Sequence, residues 1–170
     1  MRAQRLAALA AATVLPAMSL VVITAEPATA MCPPDVWYSL HATSNKMRFK
    51  NIPIFKDGPG GTLSVTKDFT SSVSYQVTAG AESEAGVIFA KAKVSVSASL
   101  TKTNSSTITH NYTHHISAHR YGHAEYVSWG KTVAWKKWQQ MGNCAAKVIR
   151  SGTIKFPSIE EGWYYWETPS

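Results

Sequence analysis

The chain has 170 residues, of which 45% are hydrophobic, and its 17 Lys and Arg against 10 Asp and Glu give a formal net charge of +7. This length fits one domain with a substantial core after removal of a leader. The basic residues are scattered and never form a dense run, so nucleic acid is excluded as an expected partner. An anionic cell-envelope polymer, a membrane surface or an acidic protein suits the basic bias better, and solubility alone would also explain it.

The first thirty residues have the pattern of a secretory signal. Arg2 and Arg5 precede an apolar run at 6–23, and Ala28-Thr29-Ala30 supplies the small residues of a cleavage site. The alternative is an uncleaved membrane anchor, but Pro16 interrupts the run and favours a leader. We therefore expect a secreted, extracellular protein that begins at residue 31.

Residues 31–61 are predicted to form an extended N-terminal arm with at most short strands. The arm ends at Gly58-Pro59-Gly60-Gly61, which cannot continue a regular element. An elongated β domain is expected to follow at 62–170. The aromatic side chains of the arm could pack back on this domain or bind another protein. The candidates for partner binding in the arm are Trp37, Tyr38, Phe49 and Phe55.

Residues 62–78 have the longest alternating pattern. Odd positions from Leu63 to Val77 are mostly apolar or aromatic, and every even position is Thr, Ser, Asp or Gln. Since successive strand side chains point to opposite faces, the pattern predicts one strand with a dry face and a hydroxyl-rich wet face. At about 3.3 Å per residue, this strand would be about 50 Å long.

A second alternation follows a small, polar segment at 79–86, which we expect to be a hairpin loop. Apolar residues occupy the even positions, and the odd positions are mostly Lys, Ser and Thr. The pattern predicts a second long strand. Its apolar face would consist of Ile88, Ala90, Ala92, Val94, Val96, Ala98 and Leu100.

The remaining chain is predicted to form further strands. Residues 105–129 are rich in Thr, Ile, Tyr and His, and their β-branched content argues against a helix. Strands are also expected at 131–140, at 144–156 after a turn at 141–143, and at 162–166, with an aromatic pair on each face. Because no segment has the helix period, we expect an all-β fold with an elongated antiparallel sheet or thin sandwich of long strands.

The two cysteines of the mature chain, Cys32 and Cys144, are expected to pair in an oxidising compartment. The disulfide would join the mature N-terminus to the region after the long strands. By loop entropy, such a closure would contribute about 4 to 5 kcal/mol. We expect its role to be structural.

Five histidines, His110, His114, His115, His119 and His123, lie close together in the sequence. On a single strand, His115, His119 and His123 would share one face, and the cluster could gain charge together near about pH 6. Strand residues four apart on one face are separated by about 13 Å, too far to bind one metal ion. We therefore expect solvated histidines or a pH-responsive surface, and no metal.

Aromatic residues accumulate toward the C-terminus, where they could form a platform for sugars or proteins, or fill the core. These residues are Trp129, Trp135, Trp138, Trp163, Tyr164, Tyr165 and Trp166. We expect about half of them to be core residues. The last four are the C-terminal candidates for partner binding.

The sequence offers little for catalysis. It has no G-x-S-x-G elbow, no H-E-x-x-H motif and no phosphate-binding glycine loop. Glu82 and Glu84 fall in the predicted hairpin loop, and Glu160 and Glu161 lie beside a turn, where solvated carboxylates are the usual case. No acid/base pair can be nominated, so we expect neither enzymatic activity nor a cofactor.

Residues 62–126 resemble the pore-forming module of the aerolysin and ETX/MTX2 toxins, with long Ser/Thr-rich strands around a segment of alternating small apolar and polar residues. The resemblance implies an aerolysin-like fold and a small β-pore-forming toxin. In such a toxin, the apolar face of 87–100 would contact lipid. The residues facing the lumen would be Lys91, Lys93, Ser95, Ser97 and Ser99.

The mature chain is also similar to small exported β-proteins common in actinomycetes, through its segments at 58–62, 129–130, 142–144 and 162–167. Proteins of this kind include the adaptor subunits of umbrella-shaped antibacterial toxin particles, which join a lectin subunit to a large toxin-bearing subunit. This similarity implies a non-enzymatic adaptor whose partners are other secreted proteins of a toxin complex. Besides the pore-forming toxin, the remaining alternative is a cell-wall or glycan-binding module using exposed Trp163 and Trp166.

Overall fold

The computed structural model describes residues 31–68, 70–107 and 109–170, with Lys67 and His110 described by their backbone only. The predicted leader lies outside these residues. Within them, the chain forms ten strands and one α-helix, α1 (Ala85–Ser95), which confirms the all-β class. The strands are β1 (Val36–Arg48), β2 (Phe55–Asp57), β3 (Gly61–Asp68), β4 (Ser71–Ser74), β5 (Gln76–Val77), β6 (Thr103–Ser106), β7 (Thr109–Ile116), β8 (Arg120–Gln140), β9 (Ala146–Phe156) and β10 (Glu161–Pro169).

Strand β8 is the centre of the main sheet. Its 21 residues extend over about 70 Å at the usual rise of a strand. Antiparallel partners flank it on both edges, β1 and β2 on one and β9 and β10 on the other. The sequence predicted two strands with a break at Gly130, but the chain is continuous there because Gly130 stays paired with Asn45.

Gly130 lets β8 pass close to the end of β9, since an added Cβ would lie 2.2 Å from the carbonyl oxygen of Phe156. The change Gly130→Ala is expected to lower the free energy of unfolding by about 2 kcal/mol or more, because the neighbouring backbone must shift. Gly142→Ala is the matched control, since its Cβ would meet no atom within 4 Å. Urea unfolding measures both variants, and equal stabilities would contradict the prediction.

A ribbon covers one face of the sheet. Strand β3 pairs with β7, and β4 pairs with β6. The even-numbered residues Ala124 and Tyr126 of β8 are buried beneath this ribbon. The other buried members of these two clusters are Met47, Phe49, Ile52, Leu63, Val65, Val73 and Ile116. The predicted dry face of residues 62–78 thus forms part of the core.

Helix α1 covers the opposite face of the sheet. Beyond Gly130 the buried residues of β8 have odd numbers, Val133 and Trp135, although the pairing with β1 remains in register. Because successive strand side chains point to opposite faces, α1 and the ribbon lie on different sides of β8. The helix contributes Ala85, Ile88 and Ala92 to this second core. Each half of β8 therefore has one covered face and one open face.

The strand predicted at residues 88–100 is wrong, because residues 85–95 form α1. Ala85, Ile88 and Ala92 are buried on one helical stripe, whereas Ala90 and Val94 are exposed. A spacing of three and four residues places side chains on one side of a helix. The Ala and Lys residues of this segment also favour a helix over a strand.

The single strand predicted at residues 62–78 is also wrong, because the chain there divides into β3, β4 and β5. Strand β5 leaves the ribbon and pairs with β9 at the edge of the main sheet. The three segments therefore have three different partners, β7, β6 and β9. Phe69, between β3 and β4, lies outside the described residues.

Residues 31–61 contain more regular structure than expected. Instead of only short strands, they include the 13 residues of β1, which pair with β8 along their whole length. The alternation of Tyr38, Leu40 and Ala42 with Ser39 and His41 is the sequence signal that could have predicted this strand. The predicted disulfide is confirmed, and it joins Cys32 before β1 to Cys144 before β9.

Candidate binding surfaces

The aromatic side chains of β10 point to both faces of the sheet, as predicted. Trp163 packs toward the ribbon, with its ring centre 5.3 Å from that of Tyr112, and Tyr165 contacts the same ring. Tyr164 and Trp166 point to the other face, which the ribbon does not cover. Two of the four C-terminal candidates therefore contribute to packing, and two belong to an open surface.

This open face is here named the β10 surface. It is formed by Tyr121, His123, Trp129, Tyr164 and Trp166. The ring of Trp166 stacks between its neighbours, 5.1 Å from His123 and 5.4 Å from Tyr164. All five rings are exposed or half-buried, so the surface combines apolar area with polar ring edges.

Positive charge accompanies these rings. The Nζ atoms of Lys46 and Lys56 lie over two tyrosine rings of the β10 surface, 3.0 and 4.0 Å from the ring centres. Arg48 forms an ion pair with Glu125 on the same face, with a distance of 3.2 Å from Nε to Oε2. The lysines have no carboxylate partner among the described residues, so this face attracts negatively charged groups.

A second open surface lies at the other end of β8, on the opposite face. Trp37 and Trp138 stack there with ring centres 6.3 Å apart and planes within 7°. The indole nitrogen of Trp138 donates to the Ser39 hydroxyl at 2.9 Å. Trp37 is 36% exposed, and Lys136 lies nearby. This pair is here named the Trp37 surface.

The outer edge of β1 borders the Trp37 surface. Among the described residues, no strand pairs with this edge. From Val36 to Asn45 the strand contains no Lys, Arg, Asp, Glu or Pro, the residues that usually protect an exposed edge. The edge therefore presents main-chain donors and acceptors to a partner strand.

The other candidates of the predicted arm pack into the domain. Phe49 is buried in the core, and Phe55 makes an edge contact with Trp163 at 5.7 Å. Tyr38 is half-buried, and its hydroxyl donates to Glu84 Oε2 at 2.6 Å. Of the two alternatives for these residues, packing back on the domain is the one observed.

Glu84 is buried, although the sequence suggested a solvated loop residue. Its side chain is 7% exposed and accepts hydrogen bonds from Lys137 at 3.0 Å and Arg150 at 3.2 Å. The hydrogen bond from Tyr38, together with these cations, holds the pKa of Glu84 below its usual value despite burial. The carboxylate thus connects the start of α1 to strands β1, β8 and β9.

The carboxylate of Glu167 connects β10 to the turn before β8. Glu167 accepts hydrogen bonds from the Ser117 amide at 3.0 Å and the Tyr165 hydroxyl at 2.8 Å, and it pairs with Arg120. These contacts lower the pKa of Glu167 to about 2, while burial and the carboxylate raise the pKa of Tyr165 to about 12. Neither group changes charge near neutral pH, so neither suits proton transfer there.

The histidines do not form the predicted face. His114 and His115 lie in β7 and His123 lies in β8, but His119 occupies the turn between them with a φ of 60°. Because the chain reverses at this turn, His115, His119 and His123 cannot share one face of one strand. The side chain of His110 lies outside the described set. No three His, Cys, Asp or Glu side chains within that set are placed to hold a metal ion.

The predicted lipid-facing residues belong to α1 and the segment after it. Ile88, Ala92 and Leu100 are buried in the domain core, whereas Val94 is 91% exposed. No helix in the described part of the chain is long and apolar enough to cross a membrane. Ile88 and Ala92 owe their burial to helical spacing rather than to strand alternation.

The described residues thus form three features suited to binding, namely the β10 surface, the Trp37 surface and the free edge of β1. The sequence identified most of the rings, but it missed the edge and the accompanying lysines. No protein-family model matches the chain, and no curated protein is found to be similar to it.

Proposed function

We propose that this protein is an exported, non-enzymatic adaptor that joins other subunits of an extracellular antibacterial toxin assembly. The observation that carries the proposal is the free edge of β1, which spans 13 residues. A strand from a partner can extend the sheet there through main-chain hydrogen bonds, with the Trp37 surface available to its side chains. The resemblance to secreted adaptor proteins supports subunits of such an assembly as the partners.

An adaptor must bind two partners at once. The β10 surface provides a second place, because it lies at the other end of β8 and on the opposite face from the Trp37 surface. Aromatic side chains are frequent anchors of protein interfaces, and Tyr164 and Trp166 are half-buried rather than enclosed. The nearby lysines favour an acidic partner at this end.

The shielded carboxylates support a non-enzymatic role. Glu84 and Glu167 are fixed by ion pairs, and Glu161 accepts hydrogen bonds from Asn104 and Tyr126. A general acid or base needs a free proton site with a pKa near the working pH. The pKa values of Glu84 and Glu167 are lowered, so these two groups do not meet that requirement, and the contacts of all three carboxylates stabilise the packing of the strands.

The proposal is tested by purifying the mature protein from its native culture supernatant through a mild C-terminal tag. Native mass and the identity of co-purifying chains are then measured. We expect a stable complex with at least two different secreted proteins. Recovery of a lone monomer, or of a complex with one partner only, would contradict the adaptor function.

Strand addition makes a specific prediction at Thr43 and Ser44, neighbouring residues of β1 with exposed side chains. In an antiparallel pair, alternate residues direct their main-chain groups to the partner strand and the others point outward. Proline removes an N–H donor. One of Thr43→Pro and Ser44→Pro should therefore leave the fold intact and abolish partner capture, while the other destabilises the sheet.

Circular dichroism and co-purification of both variants check this expectation. Matched alanine variants, Thr43→Ala and Ser44→Ala, control for loss of the side chains. If a folded proline variant captured its partners as well as the unmodified protein, β1 would not be the docking edge.

A further inference from the structure

Trp129 forms the floor of a pocket at one end of the β10 surface. Its indole lies over Gly162, where an added Cβ would come 3.3 Å from the indole nitrogen. A glycine at this position therefore lets the ring lie against the sheet. The side chain of Trp129 remains 37% exposed, so part of the ring is accessible from the pocket.

Tyr164 forms a wall of this pocket. Its ring is nearly perpendicular to that of Trp129, with an angle of 82° and a centre-to-centre distance of 6.5 Å. The Nζ atom of Lys46 lies 3.0 Å from the centre of the Tyr164 ring. The rings of Tyr164 and Trp129 are therefore nearly perpendicular, and the ammonium group of Lys46 lies over the Tyr164 ring.

Apart from Leu100 and Gly130, the remaining lining residues are polar. The pocket has a volume of about 580 Å³ and is closed on another side by the segment after α1, where the hydroxyls of Ser97 and Ser99 lie 2.8 Å apart. Asn45, Lys131 and Glu160 also line it. Hydroxyl, amide, ammonium and carboxylate groups thus surround an aromatic floor.

This combination matches the chemistry of a pyranose ring. A sugar has an apolar C–H face that packs on an aromatic ring and a rim of hydroxyls that both donate and accept hydrogen bonds. An apolar ligand would leave the polar lining without partners, which costs affinity. Two lysines against one glutamate give the lining a positive charge, which favours a sugar carrying a carboxylate.

We propose that this pocket binds an acidic hexopyranose unit of an extracellular glycan. The C–H face of the sugar packs on Trp129, its hydroxyls contact Ser97, Ser99 or Glu160, and its carboxylate faces Lys131. The pocket shares Trp129 and Tyr164 with the β10 surface. The inference nevertheless does not rest on the adaptor function, because a sugar can bind in the pocket whether or not a partner strand adds to the edge of β1.

Isothermal titration calorimetry of the mature protein tests the proposal with three probes, namely oligogalacturonate, neutral cellohexaose and adenosine monophosphate. We expect oligogalacturonate to bind most tightly and its affinity to fall as salt increases. Trp129→Ala should weaken binding about tenfold or more. Met141→Ala is the control for loss of an exposed apolar side chain, since Met141 is 41% exposed and lies outside the pocket and outside both named surfaces, and it should preserve the affinity.

Two further variants keep the test decisive if Trp129→Ala fails to fold. Gly162→Val should displace the indole from the sheet and weaken binding, and Lys131→Met should remove the preference for the acidic glycan. Absence of binding, equal binding of cellohexaose, preferential binding of adenosine monophosphate, or equal losses in the Trp129 and Met141 variants would each overturn the proposal.

Discussion

Replacing both Cys32 and Cys144 with serine is expected to lower the free energy of unfolding by about 3 to 5 kcal/mol. The disulfide closes a loop with a sequence separation of 112 residues. A closure of this length strongly reduces the conformational entropy of the unfolded chain. Guanidinium unfolding of the variant and of the unmodified, oxidised protein measures the difference.

The same variant should also loosen the start of β1, because Cys32 precedes this strand by only a few residues. Amide hydrogen exchange is expected to increase first near Val36, while residues near Met47 remain protected by pairing with β8. Reduction of the unmodified protein is the control for serine-specific effects. A stability change below about 1 kcal/mol would contradict a structural role for the bridge.

Glu84→Gln is expected to lower the free energy of unfolding by about 2 to 4 kcal/mol. The change removes the negative charge that pairs with Lys137 and Arg150 and leaves these cations beside a neutral amide. Since the network fixes the start of α1, the backbone amides of this helix should be the first to lose protection from hydrogen exchange. Glu82→Gln is the matched control, because Glu82 is exposed in the same turn.

The pH dependence of this variant follows from the lowered pKa of Glu84. A carboxylate that ionises more readily in the folded state contributes stability above its unfolded pKa of about 4.3 and loses it as pH falls through the folded value. Unfolding free energies measured from pH 7 downward should therefore fall less steeply in Glu84→Gln than in Glu82→Gln. If the unfolding free energies of the two variants fell equally with pH, Glu84 would not be the source of this pH-dependent stability.

The small, polar sequence neighbours of Glu84 predict a solvated loop. Its burial depends on Tyr38, Lys137 and Arg150, which come from three different strands. No local pattern around residue 84 contains information about these partners. The same reason explains why the lysines of the β10 surface were not predicted from their scattered positions.

Some features follow from the sequence by itself, because short-range chemistry decides them. The cysteine pair allows one intramolecular disulfide, and the alternation from Trp163 to Trp166 sends two rings to each face in any strand. The Thr- and Ile-rich segments favour strands over helices, and this established the all-β class. These conclusions needed only the identity and spacing of neighbouring residues.

Other features were decided by the tertiary structure. At Ile88 to Leu100 the alternation suits a strand, but Ala85, Ile88 and Ala92 pack in the same core as Trp135 when residues 85–95 form a helix. Whether a tryptophan is core or surface also depends on what lies over it: Trp135 is covered by α1, whereas Trp129 lies over Gly162 and stays accessible. Burial against distant partners contributes more free energy than local propensity, so the packing determined both outcomes.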